Sequence, residues 1–190
     1  MASAAGLGGE DVLRYSRVAM WLHWLIAVLL AANLLLGFFY SDFGKAATPW
    51  LMWFHKSIGI TILALTLVRV GWRLTHRAPP FDAVMKRWEA GLARLIHGLF
   101  YVALLVVPLT GWAASSAAGR DPSWFGLFNV GLLPVGRGDD IYEFFEDAHE
   151  LLAKLTIGLV LLHVAGALKH HFAGHRHLIG RMAPWLYRNR

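Results

Sequence analysis

Residues 148–172 read AHELLAKLTIGLVLLHVAGALKHHF, an apolar run with two histidines in it, His149 and His163. An α-helix turns 100° and rises 1.5 Å per residue, so fourteen residues return the second imidazole to nearly the same face, about 21 Å further along. An ionisable side chain inside a membrane helix is costly and usually functional, and a neutral imidazole is a standard axial ligand of haem iron. One helix therefore offers two stacked axial ligands. Two further apolar runs each hold one histidine, His23 and His55. Two bis-histidine b haems, one near each membrane face, explain the set.

The composition agrees with a membrane protein. Of 190 residues, 57% are hydrophobic and nine are Trp, the mean hydropathy is +0.48, and the apolar runs are too long for ordinary core helices. There is no cysteine, which excludes disulfides, c-type haem attachment and iron–sulfur clusters ligated by this chain. Any redox centre must hang on histidine. The net charge of +6 does not indicate nucleic acid, because the basic residues flank apolar spans instead of lining a polar face.

Along the chain, Met1 to Tyr15 reads as a mobile tail, without the basic start, short apolar core and cleavage site of a secretory signal. Four spans follow within residues 16–176: Val18 to Tyr40, Trp50 to Trp72, Gly91 to Ser115 and Ala148 to Phe172. Pro49 suits the start of the second, and Ala78-Pro79-Pro80 breaks helix after it. Pro108 and Gly111 are expected to kink the third. Residues 177–190 read as a basic tail. The expectation is an all-α membrane protein, a four-helix transmembrane bundle with two b haems between its helices.

Charge orients the bundle. Thirteen of the 18 Lys and Arg residues lie with the termini and the loop between the second and third spans; the other side has five, against eight acids. By the positive-inside rule both termini are cytoplasmic. His23 then lies near the inner face and His55 near the outer, so they cannot share an iron. The fourth span runs inward, placing His149 outside and His163 inside. The pairs are His55 with His149 and His23 with His163, and across a hydrocarbon core of about 30 Å they form an electron path.

These residues resemble the bacterial cytochrome b561 family of small four-helix, dihaem inner-membrane proteins. The resemblance covers roughly Arg14 to Trp185. It rests on Arg14-Tyr15-Ser16 leading to His23-Trp24, on His55-Lys56-Ser57-Ile58-Gly59, and on Val68-Arg69 with Arg73. His97-Gly98 with Tyr101, Pro108 with Gly111, His149-Glu150, and His163 followed by Ala167-Leu168-Lys169-His170-His171-Phe172 complete it. It implies haem binding at His23, His55, His149 and His163. It also implies one of two activities: superoxide oxidation with transfer of electrons to ubiquinone, or anchoring of a periplasmic dehydrogenase or hydrogenase to the quinone pool. From a different class, a histidine-lined metal transporter or a structural membrane protein without haem stays open.

Other residues have roles beside bland alternatives. His97, also near the inner face, rivals the inner ligands; choosing it would strand His23 or His163, and its alternative is a hydrogen bond to a haem propionate or a quinone carbonyl. Arg69 and Arg73, one turn apart, match haem propionates with the guanidinium fork that suits carboxylates; equally, they can snorkel to lipid headgroups. Gly59, four residues after His55, would let a porphyrin approach, or simply serve helix packing. The His170, His171, His175 and His177 cluster resembles a metal site only superficially. Trp residues at span ends suit an interfacial belt. The apolar but Gly- and Pro-broken segment Pro122 to Val135 is too short to span; it is expected at the outer interface or over the outer haem, or docking a periplasmic partner.

If the donor is superoxide, an anion, the outer side's balance of five basic against eight acidic residues gives no long-range attraction. A local basic funnel would have to draw it in, and Lys45, Lys56, Arg120, Arg137 and Lys154 are its only candidates. Lys56, beside a haem ligand, is the candidate catalytic residue. The acidic run Asp139 to Glu150 would instead meet a basic partner, or be a solvated helix start. The partners expected are ubiquinone, superoxide or a periplasmic donor protein, and the lipid bilayer.

Overall fold

A computed structural model describes residues 14–77, 79–80, 85–175 and 177–187. The first thirteen residues of the expected mobile tail lie outside these, as do Ala78, residues 81–84, Arg176 and residues 188–190. Four long helices dominate: α1 (Arg17–Phe39), α2 (Thr48–Thr75), α3 (Arg87–Ala117) and α4 (Asp139–Phe172). Each is long and apolar enough to cross a membrane.

Their ends obey local chemistry. The Ser16 hydroxyl accepts from the Ala19 N–H, capping α1. Pro49 sits in the first turn of α2, and the Glu89 carboxylate accepts from the Lys86 N–H at the start of α3. α3 ends at Gly119, whose φ of +66° favours glycine. There the Arg120 N–H donates to the Ser115 carbonyl and the Gly119 N–H to the Ser116 carbonyl, a Schellman closure.

The bundle is apolar outside as well as in. Trp21, Leu74 and Phe172 are more than three-quarters exposed, as helices surrounded by lipid allow. The packed centre is small, formed by Ile26, Ile62 and Leu104. α1 packs on α2, α2 on α3 and α3 on α4; among the long helices α4 packs closely on α3 alone. Space between α4 and the α1–α2 pair is therefore bridged by side chains.

Two boundaries depart from the sequence reading. α4 begins at Asp139, nine residues before the expected Ala148, so the acidic run forms its first turns, where the helix dipole favours negative charge. The segment Pro122 to Val135 holds a two-stranded hairpin, β1 (Ser123–Trp124) with β2 (Phe128–Asn129). Phe125 (φ +48°) and Gly126 (φ +74°) lead its three-residue connection, closed by the Leu127 N–H on the Trp124 carbonyl at 2.9 Å. At the opposite end of the bundle the chain after α4 folds back through a short helix, α5 (His177–Gly180). The Trp24 indole donates to the Met182 carbonyl at 2.9 Å, and Arg181 donates to the Pro80 carbonyl at 2.6 Å.

Candidate haem centres

The four histidines form two facing pairs. His55 on α2 and His149 on α4 have ring centroids 6.0 Å apart with planes at 89°. His23 on α1 and His163 on α4 are 6.2 Å apart at 71°. Two iron–nitrogen bonds of about 2 Å, plus about 1 Å from each nitrogen to its ring centre, require about 6 Å between axial imidazoles. Both gaps have that width. Both also lie where α4 stands off from α1 and α2, as a porphyrin requires.

The His55–His149 pair is built in more detail. The His55 Nδ1 lies 3.1 Å from the Asn33 carbonyl, and the His149 Nδ1 lies 2.8 Å from the Val107 carbonyl. A carbonyl only accepts, so Nδ1 carries the proton in each ring and Nε2 keeps the lone pair. Ligating histidines commonly donate their other N–H to a backbone carbonyl, which fixes tautomer and orientation. Val107 precedes Pro108, which lies inside α3 and leaves the Leu104 carbonyl, one turn back, without its ladder donor. The Thr110 hydroxyl shares the Val107 carbonyl at 2.8 Å.

Glycine makes room for both rings. A Cβ on Gly37 of α1 would stand 2.8 Å from His55 Cε1, and one on Gly111 of α3 would stand 2.9 Å from His149 Cε1. Neither distance is tolerable. Gly59, expected to make space for porphyrin, would meet only the Asn33 amide at 3.6 Å, an ordinary contact. Gly111 serves ring approach as well as any kink. Sequence reasoning missed Gly37, whose signal was a lone glycine near the end of an apolar span.

At the other end His163 has a second neighbour. The His97 ring is 5.5 Å from it, closer than an intervening iron requires, and His97 is exposed while His23 is half-buried. Arg69 donates to the Ala19 carbonyl at 3.0 Å, tying α2 to α1 beside His23. Arg73 is exposed one turn on. His170, His175 and His177 have ring centroids 6.3 Å apart in sequence, and among the described residues no group of three or more potential ligands could hold a metal ion.

On the side of α2 that carries Lys56 opens a cleft of about 300 Å³, lined by Met52, Trp53, Lys56, Arg120, Asp121 and Ser123 among others. It brings together two of the basic residues singled out from the sequence. Lys56 is half-buried and Arg120 exposed. The Arg120 guanidinium leans over the Tyr142 ring at 5.4 Å, and the Tyr142 hydroxyl donates to Glu146.

A model of the prokaryotic cytochrome b561 family matches residues 14–185. The chain belongs to that family. Its relatives include the probable superoxide oxidase CybB of Yersinia pestis, 28% identical over 177 residues, covering 90% of this chain and 96% of the relative. Cytochrome b561 homolog 2 of Escherichia coli K12 is 31% identical over 177 residues, covering 89% of this chain and 90% of the relative. Cytochrome b562 of Cereibacter sphaeroides is 28% identical over 182 residues, covering 88% and 94%. This cytochrome is accordingly a multi-pass membrane protein that binds b-type haem and transfers electrons. Membership removes the reading of a non-haem transporter or scaffold.

Proposed function

We propose that this cytochrome holds two b haems, one between His55 and His149 and one between His23 and His163, and carries electrons from superoxide to ubiquinone. The observation that supports two sites is the pair of matched gaps, 6.0 and 6.2 Å, stacked along α4. Each haem iron supplies one reversible electron. The chain orients the rings, fixes the tautomers of His55 and His149 through Asn33 and Val107, and keeps bulk solvent from the His55 end with the hairpin. His97, Arg69 and Arg73 lie toward the His23 end and are candidate partners for propionates or a quinone carbonyl there.

The surplus of Lys and Arg at the His23 end makes that end cytoplasmic in a bacterial inner membrane, with both termini inside. The His55 end then faces the periplasm. Superoxide arriving there meets Lys56, with Arg120 across the cleft, in a region otherwise rich in acids; the attraction is local. Each superoxide gives up one electron and leaves as dioxygen. Two such electrons and two protons convert ubiquinone to ubiquinol. That one relative is named a probable superoxide oxidase supports this donor.

A second reading, an anchor subunit for a periplasmic dehydrogenase or hydrogenase, draws on the hairpin tip. Leu127 is 73% and Phe128 57% exposed, at the same end of the bundle as the acidic first turns of α4. One experiment separates the two. Purified holoprotein is mixed with superoxide, and haem reduction and then reoxidation by ubiquinone are followed by absorption. Fast, salt-sensitive reduction that is slowed by Lys56→Gln with full haem content supports the oxidase. Reduction no faster than that of a comparable buried b haem, with rapid reduction by a co-purifying dehydrogenase, replaces it with the anchor.

A further inference from the structure

We propose that Ser57 is the positioning residue of the Lys56–Arg120 cleft, its buried hydroxyl fixing how far the hairpin stands from α2. The inference rests on the reading that Lys56 meets a small anion. His55, Lys56 and Ser57 are consecutive, so their side chains leave α2 about 100° apart. His55 faces His149, Lys56 lines the cleft, and Ser57 meets the hairpin.

The Ser57 hydroxyl is fully buried and saturated. Its one proton is shared between the Trp53 carbonyl at 2.9 Å and the Ser123 carbonyl at 3.1 Å, and its oxygen accepts from the Phe125 N–H at 3.1 Å. Two of those partners belong to the hairpin, more than sixty residues away in sequence. One turn along α2, the Thr61 hydroxyl accepts from the Trp124 indole at 3.0 Å. Three consecutive hairpin residues are thus tied to one face of α2.

Arg120 is caught between this latch and the end of α3. The Schellman closure fixes the chain through the Arg120 N–H, and only Asp121 and Pro122 separate Arg120 from Ser123. Proline fixes its own φ, and the Asp121 carboxylate accepts from the Gly131 N–H at 2.9 Å. So short a tether transmits any movement at Ser123 to Arg120. Releasing the latch leaves the Ser123 carbonyl and Phe125 N–H without their buried partner, and the cleft loses its set width.

The test compares two reductants of the purified holoprotein, the small radical anion present in dithionite solutions and the neutral duroquinol. In the unaltered protein, reduction by the anion should slow with added salt while reduction by duroquinol should not. Ser57→Ala should keep the haem spectrum and the duroquinol rate, while the low-salt rate with the anion falls about fivefold and its salt dependence flattens. Trp124→Phe should move the same quantities in the same direction, and carries the test if Ser57→Ala loses haem. In the unaltered protein the Phe125 amide should exchange slowly with deuterium, and rapid exchange overturns the latch without any variant. Equal slowing of both reductants, or no slowing of the anion, also overturns it. Salt-independent reduction of the unaltered protein by the anion refutes the underlying cation cleft instead.

Discussion

His149 donates its Nδ1 proton to the Val107 carbonyl at 2.8 Å, beside an interior proline. The carbonyl is held by α3 and the ring by α4, so the pairing of these two helices sets the direction of the Nε2 lone pair. Substituting Pro108 by Ala restores the N–H that pairs with the Leu104 carbonyl and removes the ring that crowds it, which shifts the backbone carrying the Val107 carbonyl. We expect Pro108→Ala to retain the fold but loosen the outer haem, seen as a shifted reduction potential of that haem alone in a redox titration. Equal shifts of both haems would contradict this.

Glycine substitution should be just as selective. Gly37→Ala and Gly111→Ala place a Cβ at 2.8 and 2.9 Å from the rings of His55 and His149. The rings must move, and disturbing the surroundings that orient a metal ligand typically costs about 10- to 100-fold in metal affinity. Each variant should lose the outer haem on dilution or detergent washing while retaining the inner one. Gly59→Ala, facing only a 3.6 Å contact, should retain both, measured as haem content per chain.

Ring geometry gives a spectroscopic expectation. When axial imidazole planes are perpendicular, the two iron orbitals they interact with stay nearly degenerate, and the low-spin ferric signal becomes highly anisotropic. The planes are at 89° in the His55–His149 pair and 71° in the His23–His163 pair. Electron paramagnetic resonance of the oxidised protein should show two such signals, the more anisotropic one disappearing in His149→Ala. Two ordinary rhombic signals would mean near-parallel rings.

Topology is open to a direct check. Reporter fusions in the loop around Pro79 and after residue 187 should read as cytoplasmic, and a fusion near Arg137 as periplasmic, as the distribution of Lys and Arg requires. A periplasmic C-terminus would exchange the donor and acceptor sides.

The bundle and its histidine pairs were legible because a span of about 20 residues and a period of 3.6 are properties of sequence, and depth along a span fixes which histidines meet. The start of α4 was not: hydropathy registers where lipid ends, whereas the helix continues through the acidic residues to Asp139. Nor were the acceptors Asn33 and Val107 legible, since every residue carries a carbonyl and only packing selects one. Gly59 drew notice through its nearness in sequence to His55, yet Gly37 and Gly111 on neighbouring helices meet the rings. Likewise Lys56 stood out by its position next to His55, while Arg120 becomes its neighbour only after α3 closes and the hairpin docks.

The most direct measurement of the two-centre arrangement is haem per chain, by pyridine haemochrome assay, in the purified protein and its single histidine variants. We expect about two b haems in the unaltered protein and about one in each of His55→Ala, His149→Ala, His23→Ala and His163→Ala. The first two should share one residual spectrum, the last two another, and His97→Ala should keep both haems. A single haem in the unaltered protein, or loss of a haem in His97→Ala with both retained in His23→Ala, would contradict the assignment.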